Sequence, residues 1–372
     1  MRRILQFGTS RFLQAHVDLF VHEAREDGQD VGPITVVKTT PPGVRDQRIR
    51  AFGRVEGYPV VIRGLADGRT VERRITVRSV VGGLSAYEDW DELRRCFVDE
   101  TEIVVSNTGD AGYAVTAADY RQPAPDGIPE SFPAKLLALL LARHVAGGRT
   151  LTILPCELIS GNGRILSAAL DDLAKRWSVT DAFRAWLNEG VVIADTLVDR
   201  IVSAPIEPIG AVAEPYALWA IQRRPGLSAP LRHPDVMMTD TLEPYERLKL
   251  HILNLGHSFL AELWSGQGHR ADETVRGMLD DPAIRLRLTR LYETEVIPGF
   301  ATRGLGAQAQ LYVAATLERL ANPFLDHCVA DIWQNHAIKV DRRMRAFLDW
   351  ADAWHGSPTL VRLVEAHRAR LS

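Results

Sequence analysis

"RRILQFGTSRFLQAHVDLFVHEAREDGQDVGPITVVKTT", residues 2–40, is the stretch whose reading decides the fold. It begins with a short apolar run that stops at Gly8. Phe12, Val17, Phe20, Val21 and Ala24 then recur at helical spacing. "PITVVKTT" (33–40) returns to the β-branched composition of a strand. Strand, tight turn, helix, strand is the opening of a parallel βαβ unit. In such units the first turn is where a dinucleotide pyrophosphate docks, on free N–H groups at the positive end of a helix dipole. Gly8, Thr9, Ser10, Arg11 and Phe12 are therefore candidate cofactor-binding residues. The GxGxxG pattern is incomplete, because Ser10 stands where a second glycine would let the backbone approach closely. A plain βα turn with a Ser or Thr cap remains the alternative.

Working outward, "YPVVIRGLADGRTVERRITVRSV" (58–80) reads as two strands around Asp67-Gly68, a hairpin inserted in the parallel sheet. "TEIVVSNTGDAG" (101–112) and "RTLTILPCELISGNG" (149–163) each run from a buried strand into a polar, glycine-bearing end. In open parallel sheets ligands bind beyond the carboxyl ends of strands, which adds Asn107 and Thr108 to the candidate cofactor site. "FPAKLLALLLARHVAGG" (132–148) reads as a helix stopped by Gly147-Gly148. After about residue 240 nearly everything keeps helical periodicity. The expected organisation is an α/β domain over 1–238 and an all-helical domain over 239–372, with the boundary near "RHPDVMMTD".

Bulk properties narrow the function. A net charge of −3 with acids and bases interspersed gives no electrostatic case for nucleic acid or an anionic membrane as partner. Three widely spaced cysteines argue against a disulfide framework and fit a reducing cytosol, so a cytoplasmic location is expected. The start "MRRILQFG" is too short and polar for a signal-peptide core. The apolar run around 132–146 is interrupted by Lys135 and Arg143 and is too short to span a bilayer. No HExxH or clustered Cys/His set suggests a metal, so none is expected, and no GxSxG elbow suggests a hydrolase.

The chemistry concentrates in "KLHILNLGHSFL" (249–260), where Lys249, Asn254 and His257 interrupt an apolar run. At about 100° per residue the three fall within an arc of about 140° on one helix. Apolar residues on the remaining sides point to a buried helix. Loss of hydration favours the neutral form of a lysine, which suits a general base near neutral pH. An amide such as Asn254 could donate to a carbonyl or alkoxide oxygen, and His257 could hold a neighbouring hydroxyl. The bland alternative is a snorkelling lysine and a satisfied core histidine. Tyr245 and Lys249 also spell YxxxK, a pair used for proton transfer in short-chain dehydrogenases, but the glycine-rich turn of those enzymes is missing.

These residues resemble a known family. "KLHILNLGH" resembles the Lys-x4-Asn-x2-His signature of the mannitol dehydrogenase family, the zinc-independent long-chain polyol and hexonate dehydrogenases. "ILQFGTSRFLQAHVD", "IVVSNTGDAG", "ILPCELISGNG", "DTLVDRIV", "EPYERLKLHILNLGHS" and "ANPF" occur in that family's order and cover most of the chain. The wording is closest to the tagaturonate reductase, or altronate oxidoreductase, branch. The resemblance implies a Rossmann-type N-terminal domain, a helical C-terminal domain, and NAD(P)-dependent interconversion of a keto sugar acid and its hydroxy form. A polyol 2-dehydrogenase of the mannitol type is the alternative. Lys249 would be the catalytic acid/base, Asn254 would bind the reacting oxygen, and His257 would position substrate. Asp199 and Arg200 would lie near the substrate. Leu158 replaces an asparagine found in polyol-oxidising members, and Asn162 is a candidate to compensate. Gln14 stands where an arginine is common.

Two expectations concern specificity. A carboxylated substrate calls for cationic partners, and Arg200, Lys339 and Arg342 are the candidates. NAD-specific Rossmann sites usually place an acid at the end of the second strand, where it binds the ribose and repels a 2′-phosphate. Here that strand runs into Lys38, Thr39 and Thr40, with no acid before Asp46. Lys38 is thus a candidate cofactor contact, with NAD expected and NADP possible.

Overall fold

The structure is a computed structural model that describes residues 2–43, 46–109, 111–124, 127–266 and 270–368. The chain forms two compact units. One comprises Met1–Ile62, Arg73–Ala213 and Ala217–Leu242, and the other Arg63–Glu72, Glu214–Tyr216 and Glu243–Ser372.

In the first unit, strands β1 (Arg2–Phe7), β2 (Val31–Lys38), β5 (Val80–Ser85), β6 (Thr101–Ser106), β7 (Leu151–Pro155) and β8 (Val191–Ile193) form a parallel sheet. Their order is β5-β2-β1-β6-β7-β8. Renumbered within the sheet this is 3-2-1-4-5-6, the doubly wound dinucleotide-binding order. Buried on both faces, the strands read as near-continuous apolar runs. Leu5, Phe7, Val104 and Ile153 enter one core. The alternating residues Ile4, Ile103, Val105 and Leu154 enter the other. The order reverses between β1 and β6, and that switch point sets where a ligand can sit.

The helix after Gly8 is interrupted. Ser10 caps a four-residue turn, Arg11–Gln14, by accepting from Leu13 N at 3.2 Å, and the helix restarts as Val17–Glu26. The hairpin β3 (Tyr58–Ala66) and β4 (Arg69–Val77) turns at Asp67-Gly68, both with positive φ, as a two-residue turn of this kind requires. Contrary to expectation it does not join the parallel sheet. It lies in a separate sheet of order β10-β11-β3-β4, with β10 (Val202–Pro205) and β11 (Ala211–Ala213). The hairpin tip, residues 63–72, belongs to the helical unit. A third sheet contains β9 (Thr196–Asp199), β12 (Leu218–Gln222) and β13 (Val236–Thr239). β13 falls in the segment read from sequence as the domain boundary.

The second unit is helical around a continuous apolar core. Three of its helices, 243–265, 282–301 and 336–351, change in mid-course to a π-turn, at Lys249–Asn254, Tyr292–Val296 and Asp341–Arg345. In a π-turn the hydrogen bonds run i→i+5, and such insertions collect at functional sites. No helix among the described residues is long and apolar enough to cross a membrane.

Candidate functional site

At the switch point of the parallel sheet, β1 and β6 end side by side. Gly8 N donates to Val37 O and Asn107 N to Phe7 O, each at 2.9 Å. Gly8 has φ +112°, and a Cβ there would lie 2.3 Å from Asn107 O. Only glycine lets the two loops come this close. Together they enclose a cavity of about 320 Å³ lined by Gly8, Thr9, Ser10, Arg11, Lys38, Thr39, Thr40, Arg48, Asn107, Thr108 and Gly109. Larger hollows of about 680 and 710 Å³ lie along the β8 edge and at the amino ends of β6 and β7. The first runs along the edge strand β8 and the second lies at the amino ends, so neither is at the switch point, where ligands bind in this fold.

A carboxylate that the sequence reading passed over shapes the cavity. Glu157, just beyond β7, accepts from Ser106 Oγ, Thr108 N and Thr108 Oγ1 at 3.0 Å each, and from Tyr113 Oη at 2.7 Å. Asn107 Nδ2 donates to Cys156 O at 2.7 Å. The "SNTGDAG" and "PCEL" stretches are thus two halves of one hydrogen-bonded wall.

Several expected site residues are spent elsewhere. Arg11 lines the cavity, but its guanidinium grips the 206–210 loop through Ile206 O, Gly210 O, Pro208 O and Glu207. Phe12 is not among the lining residues and stacks on His16 at 4.6 Å. Gln14 is buried and accepts from Gly210 N at 2.6 Å. Lys38, buried at the end of β2, donates to Pro41 O at 2.9 Å and is ion-paired with Asp46. The Lys38 ammonium holds the Asp46 carboxyl below the usual carboxylate range. Lys38 is therefore no ready partner for a 2′-phosphate, because its charge is already met. Arg48 is a further cation on the cavity wall, donating to Thr9 O at 3.3 Å.

Asn162 is likewise corrected as a substrate contact. Its Nδ2 meets Pro155 O, Glu157 O and Thr196 O, and its Oδ1 accepts from Gly163 N and Thr196 N. An amide has two donors and one acceptor oxygen, so all its capacity goes to the backbone. Leu158 is 70% exposed and offers no polar group in its place. Asp199 is buried at the end of β9, opposite Leu218. Arg200 is buried, donating to Ala15 O at 2.6 Å beside the Phe20 ring.

In the helical unit, Lys249 opens the first π-turn and Asn254 closes it. On an ideal α-helix they would stand about 140° apart. The wider turn that i→i+5 bonding produces brings residue i+5 closer to the face of residue i than an α-helix does. Both are half-buried, while His251, Ile252 and Leu253 between them are fully buried. The helix is therefore not apolar all round, as its sequence suggested. The turn is braced from outside. Tyr292, first residue of the second π-turn, donates its hydroxyl to Ile252 O at 3.0 Å. Arg343, in the third, donates to Asn254 O at 3.1 Å and Ser258 Oγ at 2.9 Å. Gly256 makes room, since a Cβ there would lie 2.0 Å from Tyr292 Oη.

The histidines divide by role. His251 Nδ1 donates to Arg343 O at 3.0 Å, and burial pushes its pKa down to about 4. It is a satisfied core histidine. His257 is pushed down to about 3 by burial and by the nearby His327, Arg343 and Arg319. It is a neutral imidazole whose N–H is given to the Leu253 backbone, which leaves its other nitrogen to accept. His327 meets it edge-on at 5.1 Å. Arg319 holds Glu214 within hydrogen-bond distance, at 2.8 Å from Nη2 to Oε1. Arg343, by contrast, pairs with no carboxylate among the described residues, and burial lowers its pKa to about 10. Lys339, one turn earlier, donates to Ile332 O at 2.7 Å, and burial and Arg343 lower its pKa. Arg342 is exposed. The arginine turned to the Lys249–His257 helix is thus Arg343, one residue from the one expected.

Comparison with known proteins finds the same two-part organisation. Residues 2–231 match the Mannitol dehydrogenase Rossmann domain and residues 241–368 the Mannitol dehydrogenase C-terminal domain. An altronate oxidoreductase of Halalkalibacterium halodurans is 30% identical over 382 residues, covering 96% of this chain and 73% of that protein. One of Klebsiella pneumoniae is 32% identical over 384 residues, covering 95% and 76%. The fold superposes on a mannitol 2-dehydrogenase of Pseudomonas fluorescens, solved with NAD and D-mannitol, with a TM-score of 0.73 at 20% identity, covering 99% of this chain and 78% of that one. The chain belongs to the mannitol dehydrogenase family and is a dehydrogenase with an NAD-type binding domain.

Proposed function

We propose that the protein interconverts a keto sugar acid and its hydroxy form with NAD(H), using Lys249 as general acid and base. The observation that carries this reading is the π-turn that begins at Lys249 and ends at Asn254, both half-buried. A proton carrier and an oxygen-binding amide must reach the same atom, and the π-turn brings the faces that carry them closer together. The cofactor reading rests on the Gly8 cradle and the cavity at the carboxyl ends of the strands. Gly8, Thr9, Ser10, Asn107 and Thr108 would hold the dinucleotide. When bound, it supplies or accepts hydride at the substrate carbon.

In reduction, charge grows on the carbonyl oxygen as its carbon gains hydride. Asn254 donates to that oxygen through its amide, and Lys249 ammonium delivers the proton that completes the hydroxyl. In oxidation neutral Lys249 takes the hydroxyl proton as hydride leaves carbon. Neutral His257 orients a neighbouring hydroxyl. The substrate carboxylate falls to Arg343, whose guanidinium meets only neutral partners among the described residues. The altronate oxidoreductase relatives favour a sugar acid over a polyol. At the ribose, Thr39, Thr40 and Arg48 present no acid, so discrimination against NADP(H) is weak.

The test pairs a substrate panel with one variant. Lys249→Ala should lower kcat by roughly 10²–10⁴ while dinucleotide affinity persists. Retention of more than half of wild-type kcat, with chemistry rate-limiting, removes Lys249 from the reaction. Equal kcat/KM for a neutral ketohexose and its uronate counterpart removes the sugar-acid assignment and leaves the polyol reading.

A further inference from the structure

The helical unit contains a group of side chains that the proposed dehydrogenase chemistry does not use. Glu262, His336 and His367 come from the helices Leu255–Ser265, His336–Val340 and Pro358–Arg368. One ligand atom from each lies within 4.8 Å of the other two. His336 Nε2 is 2.7 Å from Glu262 Oε1, and His367 Nε2 touches the same oxygen. The imidazoles are 4% and 6% exposed and the carboxylate 14%. Trp333 stacks on His336 with ring centroids 4.2 Å apart.

Two imidazole nitrogens converging on one carboxylate oxygen pose a proton problem. As a purely hydrogen-bonded group, each ring must carry its proton on Nε2. A histidine tautomer is normally fixed by the bond its other nitrogen makes. Here both Nδ1 atoms are buried without a hydrogen-bond partner. With Nε2–H given to Glu262, each ring keeps a buried Nδ1 that meets no partner, so no second bond reinforces that tautomer. Charging both rings instead would set two buried cations against one carboxylate. A single divalent ion takes both Nε2 lone pairs and the oxygen together.

We propose that Glu262, His336 and His367 form a binding site for a borderline-soft divalent ion of the Zn²⁺ class. Two neutral nitrogens and one carboxylate oxygen suit Zn²⁺ or Co²⁺, whereas Mg²⁺ and Ca²⁺ prefer all-oxygen sets. Three protein ligands leave a fourth tetrahedral position for water. The ion would tie the C-terminal helix and the His336–Val340 helix to the helix that carries His257, so its effect is on the stability of the helical unit.

The test uses the full chain after chelator treatment and desalting. Added ZnCl₂ should bind one ion per chain and raise Tm by at least about 3 °C, with MgCl₂ giving no shift. CoCl₂ should produce the intense visible absorption of a four-coordinate ion and quench tryptophan emission through Trp333. His367→Gln and His336→Gln should abolish the cobalt spectrum and the zinc-induced shift. The wild-type stoichiometry and spectrum stand as evidence even where a variant folds poorly. The proposal is overturned by absence of the cobalt spectrum at millimolar CoCl₂, or by a His367→Gln variant that still binds one ion with the wild-type spectrum.

Discussion

Gly256→Ala tests whether the π-turn is built around the Tyr292 hydroxyl. The new Cβ would sit 2.0 Å from Tyr292 Oη and 3.2 Å from Cζ, and the ring is fully buried with no room to retreat. Contact between such atoms is comfortable only near 3.5–4.0 Å. The hydroxyl must leave Ile252 O, and a buried tyrosine hydroxyl left without a partner costs about 1–3 kcal/mol. Overpacking adds about 1–3 kcal/mol. Replacing a helical glycine returns about 1 kcal/mol through propensity. The net loss is about 1–5 kcal/mol. Tyr292→Phe alone should cost about 0.5–1.5 kcal/mol, since it removes one hydrogen bond without a clash and Ile252 O keeps its backbone donor Leu255 N. In the Tyr292→Phe background the remaining 3.2 Å approach is mild, and its strain roughly cancels the propensity gain. Gly256→Ala should then be close to neutral, giving a coupling of at least about 1 kcal/mol. The assay is urea unfolding of the helical unit for the four proteins, with kcat measured alongside. Effects additive within about 0.5 kcal/mol would show that the glycine and the hydroxyl are not matched, and the account of the π-turn would fail.

Arg343→Met should lower the ratio of kcat/KM for a carboxylated substrate over its neutral counterpart by roughly 10–100-fold, the worth of about 1.5–3 kcal/mol in a charge-assisted pair. The ratio cancels any damage to Asn254 positioning that both substrates share, and an unchanged ratio would remove Arg343 as carboxylate partner. Thr39→Asp should lower kcat/KM for NADP(H) relative to NAD(H) by at least about tenfold through like-charge repulsion of the 2′-phosphate. An unaltered preference would place the ribose away from β2. Stability of the helical unit should fall as pH drops from 6.5 towards 4. Folded His251 and His257 stay neutral down to about 4 and about 3, so the unfolded chain binds more protons in that window. Each contributes a slope of up to about 1.4 kcal/mol per pH unit. Asp18, raised by burial to about 7, opposes this trend in the other unit, so hydrogen exchange over residues 249–265 is the appropriate readout. Flat protection across the window would contradict the burial of the two rings.

Local order was legible in the sequence. Alternating and continuous apolar runs gave the βαβ opening at residues 2–40, and Asp67-Gly68 gave its hairpin, because strand burial and turn φ angles are imposed on short segments. The Lys249, Asn254 and His257 cluster stood out for the same reason, as polar groups in an apolar helix. Partnership across the chain was not legible. Lys38 looked like a free cation until Asp46 folded back on it, and Asn162 looked like a spare amide until five backbone groups surrounded it. Arg343 rather than Arg342 faces the Lys249–His257 helix, a choice that residue type alone cannot make between adjacent arginines and that helix packing decides. Residues 63–72 and 214–216 belong to the helical unit although strands of the other unit flank them, which no linear boundary can express. Glu262, His336 and His367 are 74 and 31 positions apart, too far for any spacing rule, and only helix packing brings their nitrogens and oxygen together. Sequence by itself determined which segments become strands and helices, since that depends on neighbours within a few residues. Which charges are free to meet a ligand was decided by tertiary structure, since that depends on partners the chain supplies from a distance.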